Sequence, residues 1–143
     1  MTVKAILAAK GGEVVTIEPT ANLAAAATLL SQRRIGALVV TGADRRVVGI
    51  VSERDIVRAL AEHGSAALEL PLTDIMIRKV VTCSVSDTIS SLMERMTEGK
   101  FRHLPVIEQG QLGGIVSIGD VVKHRLHEME REQSALRDYI QTA

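Results

Sequence analysis

The segment Gly49-Ile50-Val51-Ser52-Glu53-Arg54-Asp55 returns as Gly114-Ile115-Val116-Ser117-Ile118-Gly119-Asp120, the pattern Gly-Ile-Val-Ser-x-x-Asp at an offset of 65 residues. Upstream, Val14-Val15-Thr16 returns as Val80-Val81-Thr82, and Ile35 to Val40 aligns with Phe101 to Val106, both at an offset of 66. A chain that repeats itself in order must fold as copies of one unit. Two copies are too few for a solenoid, whose repeats cover one another's apolar faces only in longer stacks. They fit a pseudo-symmetric pair that binds something between or beside its halves. The repeats are placed at residues 1–68 and 69–143.

Composition narrows the classes. The 143 residues make one ordinary domain or two subdomains sharing a core, and 46% of them are hydrophobic. A fold of this size buries roughly 70% of its extended-chain surface without staples. Lysine plus arginine and aspartate plus glutamate are 17 each. A zero net charge offers no field to recruit nucleic acid. Phe101 and Tyr139 are the only aromatic residues, which argues against base-stacking platforms for single strands. Any bound base has to be sandwiched by aliphatic groups. Cys83 is the only cysteine, so no internal disulfide forms and a reducing, cytoplasmic setting is expected. No secretory signal is expected from the interrupted apolar start, and no run of ~20 apolar residues offers a membrane span.

Along the chain the pattern predicts an α/β (α+β) unit of order β-α-β-β-α, twice. A short helix over Val3 to Ala9 ends at Gly11-Gly12, residues suited to a left-handed C-cap. A strand over Val14 to Ile17 is stopped by Pro19. Asn22 caps a helix to about Arg34, with Leu23, Ala26, Ala27 and Leu30 at helical spacing. Ala37 to Val40 and Val47 to Val51 are apolar strands around a Thr41 to Asp44 turn. Ser52 then caps a helix to about His63, with Asp55 as the acidic partner of a capping box. Gly64 to Pro71 connects the halves. In the second copy Thr73 is expected to cap a short helix to Met76, followed by a strand at Val80 to Cys83 and a helix from Ser86 to about Glu98. Strands at His103 to Ile107 and Leu112 to Val116 lead to a final helix from Ser117. That helix extends beyond its counterpart. Val122, Leu126, Met129, Gln133, Leu136 and Ile140 mark a heptad-like seam with one polar position, either folded back on its own domain or shared with a second subunit.

The Val-Val-Thr strand, the Phe-Arg-His-Leu-Pro-Val segment and the doubled Gly-Ile-Val-Ser-x-x-Asp resemble the CBS domain, named for cystathionine beta-synthase. Two copies in tandem resemble a CBS pair, and the likeness covers Val3 to about His124. The resemblance implies two repeats packed through their sheets with two clefts. It implies a homodimer and ligands among the adenine nucleotides: AMP, ADP, ATP, NAD(H) or S-adenosylmethionine.

The residues support that chemistry from below. A carboxylate accepts two charge-assisted hydrogen bonds from vicinal ribose hydroxyls, and Asp55 and Asp120 are placed for this. Ser52 and Ser117 lie at helix N-termini, where N–H groups and the dipole favour phosphate. Gly49 and Gly114 leave room for a ligand beside the backbone. The plain alternative is that each Ser-x-x-Asp only caps its helix. By resemblance, Thr16 and Thr82 face the adenine or ribose, and Arg102 and His103 hold phosphates, with Gly36 and Ala37 at the matching places of the first repeat. There the charge has to come from Arg54 or from a residue across the cleft, so the two sites are not equivalent. Pro105, tolerable only at a sheet edge or strand start, completes the candidate set. In an extended segment Lys100 and Arg102 share one side and His103 takes the other.

Other signals carry less. His124 and His127 offer two metal ligands without a third. Cys83 aligns with an apolar strand position and reads as an inert core thiol. No phosphate-loop or dinucleotide glycine motif occurs. The expected function is a non-enzymatic sensor that binds an adenine nucleotide and regulates a protein target in trans. The competing classes are a ligand-free dimerisation scaffold acting through its last helix, and a hydrolase built on Asp55 or Asp120.

Overall fold

The computed structural model describes residues 1–142. Five helices and five strands follow one another as α1 (Val3–Lys10), β1 (Thr16–Ile17), α2 (Leu23–Arg33), β2 (Ala37–Thr41), β3 (Val47–Ser52), α3 (Glu53–His63), α4 (Ile89–Gly99), β4 (His103–Glu108), β5 (Gln111–Ser117) and α5 (Ile118–Thr142). Short 3-10 turns at Ala43–Arg45, Gly64–Glu69 and Leu72–Asp74 fill the connections.

Local chemistry sets most of the helix starts. The Asn22 carboxamide accepts from the Ala25 N–H at 2.9 Å, and the Thr88 hydroxyl from the Ser91 N–H at 3.1 Å. Each such cap is worth about 1 kcal/mol. The helix expected from Ser86 starts three residues later. Asp87 folds back to accept the Ser84 N–H at 2.8 Å, and the Asp87 N–H returns to the Ser84 carbonyl at 3.1 Å. This turn consumes Ser86 and leaves the capping role to Thr88. Thr73 caps nothing either: the turn there begins after Pro71 and is 3-10, not α. Gly11 closes α1 with φ 90 and ψ 165, positive but extended instead of left-handed helical.

The first repeat forms a three-stranded sheet in the order β1-β2-β3, with β1 parallel to β2 and β2 antiparallel to β3. The second forms a β4-β5 hairpin, and the strand expected at Val80 to Cys83 shrinks to a single parallel bridge between Cys83 and Val106. Pro105 explains the loss. The Cys83 N–H donates to the Pro105 carbonyl and the Ile107 N–H to the Cys83 carbonyl, both at 2.9 Å. One step upstream the ladder needs an N–H from residue 105, and proline has none. The matching residue of the first repeat is Val39, which pairs with Thr16.

The two cores exchange segments. One cluster joins Leu23, Leu30, Leu38, Val40, Val51 and Ile56 to Leu72 and Met76; the other joins Leu104, Val106, Val116, Ile89 and Leu92 to Val3 and Ile6. Each repeat's opening segment thus covers the other repeat. Burying Val3 and Ile6 fully is worth roughly 1.5–3 kcal/mol each, enough to hold a helix as short as α1. Its first amides donate to the carbonyls of Asp87 and Val85 at 2.9 and 3.0 Å. The exchange also corrects the role expected of two glycines. A Cβ at Gly49 would lie 2.5 Å from Met76 Sδ, and one at Gly114 would lie 2.8 Å from Leu7 Cδ2. The missing side chains admit the crossing segments, not a ligand.

The last helix does not fold back. Val121 is buried against the second core, but from Met129 to Thr142 every residue is exposed.

Candidate functional site

The start of α3, the end of α4 and the irregular segment 77–81 enclose a cleft of about 580 Å³. Ile77 pairs with Ile50 of β3 through two backbone hydrogen bonds of 2.9 and 3.0 Å. That pairing lays residues of the second repeat along the mouth of the first repeat's helix. Ile50, Ile77, Val80, Val81 and Phe101 supply an apolar wall. Ile77 and Val81 stay 45% and 44% exposed, which leaves apolar surface open at the cleft.

The polar side is strongly cationic. Arg54, Arg58, Lys79, Lys100 and Arg102 line the cleft against two carboxylates, Glu53 and Asp55. Asp55 is only 3% exposed. Its Oδ2 accepts the Ser52 N–H at 2.8 Å and the Ser52 hydroxyl at 3.0 Å, while Oδ1 has a looser 3.4 Å contact from Arg58. The capping geometry therefore fixes the carboxylate, with Ser52 on Oδ2 and Arg58 near Oδ1. His103 borders the same space, with its imidazole beside Gly36: a Cβ there would lie 3.3 Å from His103 Cε1. Burial lowers the His103 pKa most, with Lys10 and Arg102 acting in the same direction against Glu53 and Asp120. The surroundings thus favour the neutral ring over the cation.

Lys100, Arg102 and His103 all line one cleft, against the alternation expected of an extended segment. Lys100 caps α4 in the left-handed conformation, φ 55 and ψ 34, so the chain turns there and the period-two argument does not apply. Arg34 takes the same conformation at the end of α2 but lies exposed, outside the cleft.

The helix starts are less open to an anion than the sequence suggests. The Ser52 N–H is held by Asp55, and the Glu53 N–H donates to the Gly36 carbonyl at 3.0 Å. The second repeat copies this: Ser117 N–H to Asp120 at 2.9 Å, Ile118 N–H to the Arg102 carbonyl at 2.8 Å. An anion here would be gripped by side chains more than by backbone amides.

The pseudo-equivalent place at Asp120 is occupied from within. Lys10 Nζ lies 2.7 Å from Asp120 Oδ2 and donates to the Ile115 carbonyl at 3.0 Å. Desolvation alone would raise the Asp120 pKa, but the Lys10 ammonium and the Ser117 N–H outweigh it and hold the carboxyl below its ordinary range.

Six of the expected residues therefore meet in one cleft: Gly36, Ser52, Arg54, Asp55, Arg102 and His103. Ser117 and Asp120 stand together beside Lys10. The remaining four lie elsewhere. Ala37 is buried in β2 and Pro105 in β4. The Thr82 carbonyl accepts from Arg95 Nη1 at 3.3 Å. Thr16 borders a separate open depression against Ala21, Ala24 and Thr28 of the first repeat. Sequence reasoning missed Arg58, Lys79, Ile77 and Lys10. Arg58 sits one helical turn after Asp55 and was findable; the others reach their places only through the exchanged segments.

Cys83 is buried, and desolvation first, then Asp87, pushes its thiol up to about 11. Among the described residues no three metal-ligating side chains come together, His124 and His127 included. No helix among them is long and apolar enough to cross a membrane.

The CBS domain family model matches residues 3–62 and 72–127. The mitochondrial CBS domain-containing protein CBSX3 of Arabidopsis thaliana is 36% identical over 116 residues, which are 78% of this chain and 56% of that protein. The chain thus spans little more than half of that relative. A CBS-domain containing protein from Agrobacterium tumefaciens superposes with a TM-score of 0.85 at 49% identity, covering 87% of this chain and 99% of that one. A CBS domain protein from Pyrobaculum aerophilum, solved in complex with AMP, superposes with a TM-score of 0.75 at 32% identity over 84% and 89% of the two chains.

Proposed function

This chain belongs to the CBS domain family, and we propose that it is a regulatory module whose first cleft binds an anionic adenine nucleotide. The observation that carries the reading is the make-up of that cleft: an aliphatic wall, a fixed carboxylate and five cations against two acids. The volume suits a nucleotide. The Ile77, Val80 and Val81 side chains sandwich the base, Asp55 Oδ1 takes ribose hydroxyls, and the guanidinium and ammonium groups take phosphates. The complex of the Pyrobaculum aerophilum protein with AMP supports the ligand class.

Charge selects within that class. The surplus of cations favours ATP and ADP over AMP or NAD(H), and disfavours S-adenosylmethionine, which carries a positive sulfonium. The Asp120 cleft is closed by Lys10, so one ligand binds per chain. Binding ties segment 77–81 of the second repeat to α3 of the first. It thereby changes the surface offered to a protein target in trans, within a reducing cytoplasm. Such a signal requires different affinities in two conformations.

The test is calorimetry against ATP, ADP, AMP, NAD+, NADH and S-adenosylmethionine at fixed, low salt. Affinity should climb with phosphate number and saturate at one site per chain. Tightest binding by S-adenosylmethionine, or no binding by any of them, overturns the assignment.

A further inference from the structure

We propose that the first cleft takes up a proton together with its nucleotide, and that His103 is the group that receives it, so that the module responds to pH as well as to the nucleotide. The inference rests on the nucleotide reading above. His103 opens β4 and is held by its pairing with Ser117 of β5. Its ring nevertheless reaches across to the first repeat, over Gly36. A Cβ at residue 36 would lie 3.3 Å from the ring's Cε1, 3.5 Å from its Nε2 and 3.7 Å from Glu53 Oε1. The missing side chain thus lets an imidazole and a carboxylate share one space. Glu53 is anchored there as well, because its N–H donates to the Gly36 carbonyl at 3.0 Å. The Asp120 cleft has no copy of this couple: Ala37 and Ile118 stand at the positions matching His103 and Glu53.

The charges around the ring set the sign. Glu53 from α3 and Asp120 from α5 favour the imidazolium, while Lys10 from α1 and the neighbouring Arg102 oppose it, and burial opposes it most. The rest of the cleft adds four cations, Arg54, Arg58, Lys79 and Lys100, against the single carboxylate of Asp55. A polyphosphate reverses this balance. Its negative charges offset the cations, and a nearby opposite charge favours the charged form of a histidine. The imidazolium also donates a charge-assisted hydrogen bond to phosphate, stronger than one from the neutral ring. The complex therefore holds more protons at His103 than the free protein does. By linkage, affinity gains from this group as pH falls from about 8 to about 6, the range in which histidine titrates.

Nuclear magnetic resonance of the full chain reads the proton directly. The chain has four histidines, so His63, His124 and His127 serve as internal references. The His103 ring should titrate at a higher pH with saturating ATP than without it, while the other three move little. Calorimetry then compares wild type with His103→Gln, whose side chain still hydrogen-bonds but cannot charge. The ratio of their ATP affinities should be at least about threefold larger at pH 6 than at pH 8. The terminal phosphate of ATP itself titrates at about pH 6, and does so for both proteins. ATP binding with His103 titrating at the same or a lower pH, or an affinity ratio independent of pH, would overturn the proton coupling and leave the nucleotide reading standing. Failure of ATP to bind at either pH would overturn both.

Discussion

Replacing Lys10 with methionine tests whether the chain stoppers its own second cleft. The ammonium lies 2.7 Å from Asp120 Oδ2, with side-chain exposures of 33% and 22%. A fully exposed pair contributes about 0.2–1 kcal/mol, and a hydrogen bond to a charged group about 1.5–3 kcal/mol. This half-buried pair falls between, about 1 kcal/mol. Lys10 is also the basic residue in the last turn of α1, where the helix dipole adds about 0.3–1 kcal/mol. Lys10→Met should therefore destabilise by about 1–2 kcal/mol in urea titrations near neutral pH. The sign with acid follows from Asp120, whose folded pKa is depressed below 3.8. Its contribution is present above the unfolded carboxylate pKa and is lost as pH falls through the folded one. The wild-type advantage should accordingly shrink in strong acid, below the ordinary carboxylate range. Calorimetry with ATP should at the same time move from one site per chain to two. Equal stability of the two proteins at neutral pH would refute the energetic reasoning. A stoichiometry that stays at one would show that the ion pair does not close a site.

Asp55→Asn keeps the shape of the cap but replaces the other carboxylate oxygen, Oδ1, with an amide NH2 that donates and cannot accept. We expect nucleotide affinity to fall at least tenfold in calorimetry, with about 1 kcal/mol lost from stability; unchanged affinity removes Asp55 from the ribose. Gly114→Ala drives a methyl into Leu7 Cδ2 and should cost about 1–3 kcal/mol. Leu7→Val should recover part of that in a double-mutant cycle, and strict additivity would show that the two do not touch. The Cys83 thiol, buried and pushed up to about 11, should resist alkylation in the native state and react only at the rate of unfolding. Fast labelling of folded protein at neutral pH would contradict its placement.

The sequence alone determined the duplicated unit, the capped starts of α2 and α3, the apolar strands β2 to β5 and the Ser-x-x-Asp turns. Each depends on residues within a few positions of one another, and hydrogen-bond caps and period-two patterns act at that range. It also carried the one signal that the second repeat's first strand would fail, since Pro105 withholds a ladder N–H wherever the strand lies. Tertiary structure decided the rest. Leu7 crosses to Gly114 and Met76 to Gly49, contacts between residues far apart in the chain that no local pattern encodes. That exchange carries Lys79 and Ile77 into the first cleft and Lys10 onto Asp120. Two aspartates equivalent in sequence thus come to differ: Asp55 is buried beside Arg58 of its own helix, while Asp120 is half-buried and paired with Lys10 from the other end of the chain; a carboxylate's surroundings depend on which cation the fold delivers to it.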